Sequence, residues 1–164
     1  LPIQGEGGHV SLPAVDDLDY EIVKFLTGEL GRVSAERILS GMGIENLYRA
    51  LAAIDGIAVT AKTAAEVVDG ALKDGDALCL KVLERFCLFM GGVAGDLVLT
   101  LGAFDGVFIG GGIGPRIADY MKQSGLKERM IAKGRFRDLM NDVPVRLMTA
   151  KYPALIGCAK ILTA

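Results

Sequence analysis

The sequence predicts an α/β fold that is mostly helical and has only a small, incomplete parallel sheet. Apolar residues recur at helical spacing through most of residues 19–97. Later, residues 106–112 and 143–149 form short apolar runs that are typical of buried parallel strands. Two strands make too small a sheet to stand alone. We therefore expect further strands upstream of Leu1, where the chain starts without Met and without a signal-peptide pattern.

Composition narrows the possible functions. A length of 164 residues fits one domain, expected over residues 1–164. The 18 basic and 20 acidic residues are interspersed and give a net charge of −2, so a nucleic-acid partner is not expected. The hydrophobic content of 51% favours fully buried helices or a large surface that a partner covers. Cys79, Cys87 and Cys158 show no CxxC spacing, and we expect three reduced core thiols and a cytoplasmic location.

The helical part divides at capping signals. Residues 16–17 cap a first helix that ends at Gly31, and Ser34 caps a short second helix through Leu39. A third helix follows residues 40–43, with Leu47, Tyr48, Leu51 and Ile54 on one face and Gly56 beyond its end. Thr63-x-x-Glu66 fits a capping box for a fourth helix that runs to Leu72.

A long apolar helix follows a cap at Asp76, with a predicted buried stripe of Leu80, Leu83, Cys87, Met90, Ala94 and Leu97. Residues 86–104 are apolar enough to raise a membrane-spanning alternative, and Gly91-x-x-x-Gly95 occurs in packed membrane helices. Asp96 inside this run would cost about 2.5 kcal/mol or more in a bilayer. We therefore expect a core helix with no membrane partner, in which the two glycines allow a close neighbour.

The C-terminal part alternates strands and helices. After the first strand, Pro115 suits the first turn of a helix that carries Ile117 and Tyr120. After the second strand, residues 153–162 form a closing helix.

Two glycine turns are candidate nucleotide contacts. Gly110, Gly111 and Gly112 lie between a strand and a helix, where backbone can approach a ligand. No Gly-Lys-Ser/Thr follows and Pro115 breaks a GxGxxG register, so a plain tight turn is equally consistent. In the Ser40–Gly43 turn (SGMG), Gly41 is either a helix C-cap or, with Gly43, part of a nucleotide wall.

Glu6, His9 and Glu36 are the candidate polyol-binding residues. Carboxylates accept hydrogen bonds from hydroxyls, and an imidazole can donate or accept. His9 is the single histidine and follows flexible glycines in GEGGH. A metal site is the rival interpretation, but Glu-x-x-His lacks a third ligand of matching spacing. An incidental surface histidine is the other alternative.

The segments LPIQGEGGHV, GELGRVSAERILSGMGIENLYRA and FDGVFIGGGIGPR, in that order, resemble the C-terminal half of the bacterial-type ATP-dependent glucokinases. The resemblance extends to YPALIGCAKIL at the end of the chain. It implies a ribonuclease H-like (actin-like ATPase) domain and phosphorylation of glucose at its 6-hydroxyl to glucose 6-phosphate, the first step of glycolysis. Family members are commonly homodimers, so a homodimer is expected.

The same resemblance assigns roles by position. Glu6, His9 and Glu36 match the glucose-binding residues, and Gly41, Gly43 and the glycines at 110–112 match segments lining the adenosine pocket. Met42 stands where the family usually has Pro, and Gly114 is an extra glycine. The phosphate loops and the catalytic Asp of the family have no match here. The chain alone is therefore expected to be inactive, with no catalytic or metal residue, and with ATP and Mg²⁺ held mainly by a missing part.

Two other classes of protein are alternatives. A non-catalytic sugar-binding or regulatory domain of the same fold would carry the same sugar residues without the upstream loops. A dinucleotide-binding module is disfavoured because the GxGxxG fingerprint fails and the first part of the chain is helical.

Overall fold

The computed structural model of the protein describes residues 4–162. Within that range the order is four helices, then strand, helices, strand and a closing helix, which confirms the predicted α/β class with a small parallel sheet. The helices are α1 (Asp17–Leu30), α2 (Gly41–Ile54), α3 (Ala64–Leu72), α4 (Ala77–Leu101), α5 (Ile113–Arg116), α6 (Ala118–Gln123), α7 (Leu126–Ile131), α8 (Arg137–Asn141) and α9 (Pro153–Leu162). The strands are β1 (Val107–Ile109) and β2 (Val145–Leu147). Residues 1–3, where the resembling segment begins, lie outside the described range.

The predicted caps start the helices of the first part. The side chain of Asp16 accepts from the Asp19 amide at the start of α1, and Thr63 and Glu66 form the capping box of α3. Asp76 accepts from the amide of Cys79 at 2.9 Å and starts α4. Each cap satisfies an amide that has no partner within the first helical turn.

The predicted second helix, from Ser34 to Leu39, is wrong: only a 3-10 turn forms, over Ala35–Arg37. Ser34 makes no side-chain cap, its backbone takes part in an antiparallel bridge with Ser11, and the cap of α2 at Ser40 leaves only residues 35–39 between them. The bridge holds the backbone extended up to Ser34, and α2 begins at Gly41. This break separates α1 from α2 and forms the base of the candidate site.

Helix α4 runs through the middle of the molecule and contacts α2, α3 and α7. Leu83, Cys87 and Ala94 of the predicted stripe are buried, but Leu97 is 40% exposed. Phe86 and Phe89, outside that stripe, are fully buried. The prediction of one apolar stripe was therefore incomplete, because α4 has neighbours on several sides.

The close approach expected at Gly91 and Gly95 is present. A methyl group on Gly91 would collide with the carbonyl of Leu126 on α7. Asp96, on the same helix, pairs with the Lys133 ammonium at 2.5 Å. No helix in the described range has the length and apolarity needed to span a membrane.

A buried ion cluster fixes α1 against α4 and α7. Asp19 is fully buried and binds Arg85 at 3.1 Å and Arg129 at 2.6 Å. Arg85 and Arg129 also bind Asp16, at 2.7 and 2.6 Å. Burial raises the pKa of Asp16, but the amide of Asp19 and the guanidinium of Arg85 outweigh it, and the net pKa lies below its usual value.

The sheet consists of β1 paired in parallel with β2, with Val107 opposite Val145 and Ile109 opposite Leu147. Both strands are shorter than predicted. Phe108 is 63% exposed, with the Arg146 guanidinium 5.6 Å from its ring centre, so the prediction of a fully buried strand is wrong for this face. The reason is that no described element covers that side of β1.

The helix predicted at Pro115 is divided. Its residues form α5 and α6, and the short helices α7 and α8 were not predicted. Their length, four to six residues, is below that of a recognisable helical repeat. The buried Ile117 lies at the break between α5 and α6.

Burial of the three cysteines was only partly predicted. Cys79 and Cys87 are buried free thiols as expected, and burial raises the pKa of Cys87 to about 11. Cys158 is exposed, contrary to the prediction. It lies on α9, the predicted closing helix, which has no buried residue among those described.

Candidate functional site

The site is built on a short antiparallel connection between two loops. Ser11 bridges Ser34, the Ala35 amide donates to the carbonyl of Val10 at 3.0 Å, and the Leu12 amide donates to that of Val33 at 3.2 Å. The bridge brings the 3-10 turn Gly7–His9 beside the 3-10 turn Ala35–Arg37, and His9 then lies next to Glu36. Two residues that are far apart in the chain therefore meet because the bridge fixes their pairing.

The histidine ring lies between two carboxylates. His9 Nδ1 is 3.6 Å from Glu6 Oε2, and His9 Nε2 is 3.4 Å from Glu36 Oε2. Both distances exceed those of a close N–H···O hydrogen bond, so the ring nitrogens and carboxylates retain the capacity to bind a ligand. The side chains of Glu6, His9 and Glu36 are 88%, 63% and 57% exposed, which leaves them accessible.

These three side chains form the polar side of a cavity of about 370 Å³. Apolar side chains of α4 and the adjoining loop form the other side; they belong to Ala35, Leu39, Val93 and Leu97. A small ligand with hydroxyls on its edge and C–H groups on its faces suits such a lining. Within the described residues, no three His, Cys, Asp or Glu side chains are arranged to hold a metal ion.

A second cavity, of about 540 Å³, is also lined by His9. His9 and Glu36 line both cavities, and Arg32, Ser40 and Met42 line only the second. The pair formed by His9 and Glu36 therefore borders both cavities.

The SGMG turn starts a helix. Ser40 caps α2 by accepting from the amide of Gly43 at 3.0 Å, and Gly41 is the first residue of α2. The alternative of Gly41 as a C-cap is therefore wrong, because the preceding segment has no α-helix to end. Gly43 is buried, and a methyl group there would collide with the backbone of Ile38. This close contact by itself explains why residue 43 is glycine, and the explanation does not require a bound ligand.

The second glycine turn follows β1. Gly111 has a φ of +105°, a backbone conformation that L side chains rarely adopt, and Gly112 caps α5. Gly110, Gly111 and Gly112 are all exposed. No hydrogen bond in the described part of the chain joins this turn to the SGMG turn. A shared adenosine pocket therefore stays a prediction.

Some residues of the site carry no local signal. Val93 and Leu97 line the cavity from α4, although their sequence pattern is that of any apolar helix. Arg32 donates to the backbone carbonyl of His9 at 2.6 Å from 23 positions further along the chain. Only the tertiary arrangement shows these contacts.

Comparison with known proteins agrees with this arrangement. A sequence model of the family described as Glucokinase matches residues 1–164. A glucokinase of Cupriavidus metallidurans is 44% identical over 99% of this chain and 48% of its own length. One of Caulobacter vibrioides is 46% identical over 99% of this chain and 50% of its own length.

Solved structures show the same fold. The crystal structure of a glucokinase from an Antarctic psychrotroph covers 98% of this chain with a TM-score of 0.92 and 41% identity, over 50% of its own chain. A glucokinase of Balamuthia mandrillaris, solved in complex with glucose, shares the fold with a TM-score of 0.74 at 17% identity, over 91% of this chain and 44% of its own. The fold is thus that of the actin-like ATPases, as the resemblance implied.

The chain belongs to the Glucokinase family. It spans about half the length of the curated relatives it matches, and the matched half is the C-terminal one. A dinucleotide-binding module is thereby set aside.

Proposed function

We propose that this chain is the C-terminal part of a glucokinase that transfers the γ-phosphoryl group of ATP to the 6-hydroxyl of glucose. The observation that carries the proposal is the imidazole of His9 between the carboxylates of Glu6 and Glu36, all three lining a cavity of about 370 Å³. Membership of the Glucokinase family over residues 1–164 supports the same activity. The proposed location is the cytoplasm.

In this proposal the chain binds and orients the sugar. Glu6 and Glu36 accept hydrogen bonds from ring hydroxyls, and His9 donates or accepts. Hydroxyls bound by three groups at once place the 6-hydroxyl in one direction, which favours in-line attack. An epimer of glucose leaves one of these groups without a hydrogen-bond partner, and the site therefore selects glucose over the epimer. The carboxylate that takes the hydroxyl proton belongs to another part of the enzyme.

The nucleotide side of the proposal rests on the two glycine turns. Gly41 and Gly43 at the start of α2, with Gly110 to Gly112 after β1, line the adenosine pocket. The exposed backbone of the second turn supports close approach of a ligand. Mg²⁺ accompanies ATP and neutralises phosphate charge, but we assign it no ligand among the described residues.

We propose that residues 1–164 form one unit, which is the C-terminal portion of the large domain of the enzyme. We also propose that the enzyme is a homodimer. Exposed apolar side chains such as Leu155 and Ile161 on α9 support further contacts. Sedimentation at micromolar concentration measures the assembly of the chain. A strictly monomeric profile contradicts the dimer.

The test uses the single histidine of the chain. We expect the His9 ring signals to shift saturably in an NMR titration with glucose and not with galactose, and Glu36→Gln to abolish the shift. The purified chain alone should not phosphorylate glucose, whereas the protein encoded by the complete reading frame should. Failure of that complete protein to turn over, with binding retained, would instead identify a non-catalytic sugar-binding domain.

A further inference from the structure

The loop that carries His9 has few contacts of its own. Residues 5–9 are exposed, and they include three glycines. Within the 3-10 turn Gly7–His9, the amide of His9 donates to the carbonyl of Glu6 at 2.9 Å. Neither carboxylate beside the ring is buried. A ring supported only in this way would sample several positions, because exposed glycine-rich backbone has high conformational entropy.

A long-range side chain, that of Arg32, hydrogen-bonds to the backbone of this loop. Arg32 Nη2 donates to the backbone carbonyl of His9 at 2.6 Å and also lies 3.5 Å from Ser11 Oγ. A hydrogen bond with a charged donor is among the stronger ones in proteins. It acts on the residue that carries the ring, whereas the nearest backbone bond of the bridge acts on Val10.

We infer that Arg32 is a positioning residue for the hexose site, acting through the backbone of His9. The effect of Arg32 on sugar binding rests on the proposed function, whereas its effect on the position of the His9 ring does not. Arg32 and Glu36 both line the second cavity together with His9, so the guanidinium and the carboxylate of Glu36 border the same space. Arg32 fixes the His9 backbone beside this space, while Glu36 contacts the ring.

The experiment compares Arg32→Met with Arg37→Met. Methionine retains an unbranched side chain and removes every donor. Arg37 is the matched control, because it is also exposed and lines the same second cavity, but its side chain contacts Met42 rather than the His9 loop. Two readouts are measured on each variant: the NMR signals of the His9 ring without ligand, and the dissociation constant for glucose.

We expect Arg32→Met to shift and broaden the ring signals of His9 and to weaken glucose binding about tenfold, as loss of a charged hydrogen bond would. Arg37→Met should leave the ring signals in place and the dissociation constant within about twofold. In the complete enzyme, KM should rise while kcat changes less, because the lost contact acts on sugar binding. The thermal midpoint should stay the same, which separates positioning from a general loss of structure.

The possible outcomes distinguish the positioning role of Arg32 from the proposed function. Unchanged ring signals and unchanged glucose affinity in Arg32→Met overturn the role of Arg32 and leave the proposed function intact. Absence of glucose binding by the unsubstituted complete protein overturns the proposed function. In that case, a shift of the ring signals in Arg32→Met still supports the positioning of His9 by Arg32.

Discussion

The contact between α4 and α7 gives the sharpest stability prediction, because two adjacent glycines provide a built-in control. At Gly91, an added Cβ would lie 3.0 Å from the carbonyl carbon of Leu126 and closer still to its oxygen. At Gly92, the nearest heavy atoms to an added Cβ are Arg129 Cγ and Pro13 Cγ, both at 3.9 Å. The first neighbour is rigid backbone, whereas the second pair belongs to side chains in ordinary contact.

The two substitutions should have opposite effects. Replacing Gly by Ala inside a helix stabilises by about 1 kcal/mol, and Gly92→Ala should show this gain. Carbon atoms pack best at about 3.5–4.0 Å, so Gly91→Ala must push α7 away by roughly 1 Å. Such overpacking costs about 1–3 kcal/mol. The gain in helix propensity is common to both variants, so their free energies of unfolding should differ by about 1–3 kcal/mol.

Thermal unfolding followed by circular dichroism measures this difference. For a chain of this size, 1 kcal/mol corresponds to roughly 2–4 °C in Tm. A central difference of about 2 kcal/mol then places Gly91→Ala about 4–8 °C below Gly92→Ala. Equal midpoints for the two variants would refute the close approach of α7 to α4.

Three further predictions concern charge, thiol exposure and capping. Asp16 has a pKa below its usual value, so its stabilisation is fully present above the unfolded-state pKa and is lost as pH falls through the folded-state pKa. Asp16→Asn should therefore flatten the dependence of stability on pH below about pH 5, and an unchanged dependence contradicts this. Iodoacetamide should label Cys158 in the native chain but neither Cys79 nor Cys87 until unfolding, as mass spectrometry would show; native labelling at Cys87 opposes its burial. Thr63→Ala should cost about 1 kcal/mol in urea unfolding by removing the α3 cap, and no loss would count against the capping box.

Sequence-local signals identified the starts of α1, α3 and α4. Asp16, Thr63 and Asp76 each accept a hydrogen bond from an amide three residues ahead, so the signal and its partner lie in one short segment. Ser34 did not start a helix: its side chain makes no cap, and only residues 35–39 lie between its bridge to Ser11 and the cap of α2 at Ser40. No local pattern in the sequence predicts the bridge.

Burial was harder to predict than helix formation. Cys158 and Phe108 have apolar neighbours in the sequence, but both are exposed because no described element covers them. Leu97 follows the helical stripe of α4 yet is 40% exposed beside the candidate cavity. Periodicity gives the face of a helix, whereas burial depends on what packs against that face.

For the candidate site, the sequence by itself supplied the chemistry: two carboxylates and the single histidine, in a motif specific enough to indicate the family. The tertiary structure alone decided that His9 lies next to Glu36, that Val93 and Leu97 form the apolar wall, and that Arg32 binds the His9 carbonyl. The physical reason is distance along the chain. Residue types and short spacings determine which groups are available, but contacts across 23 or more positions form only when the bridge and the packed helices bring the segments together.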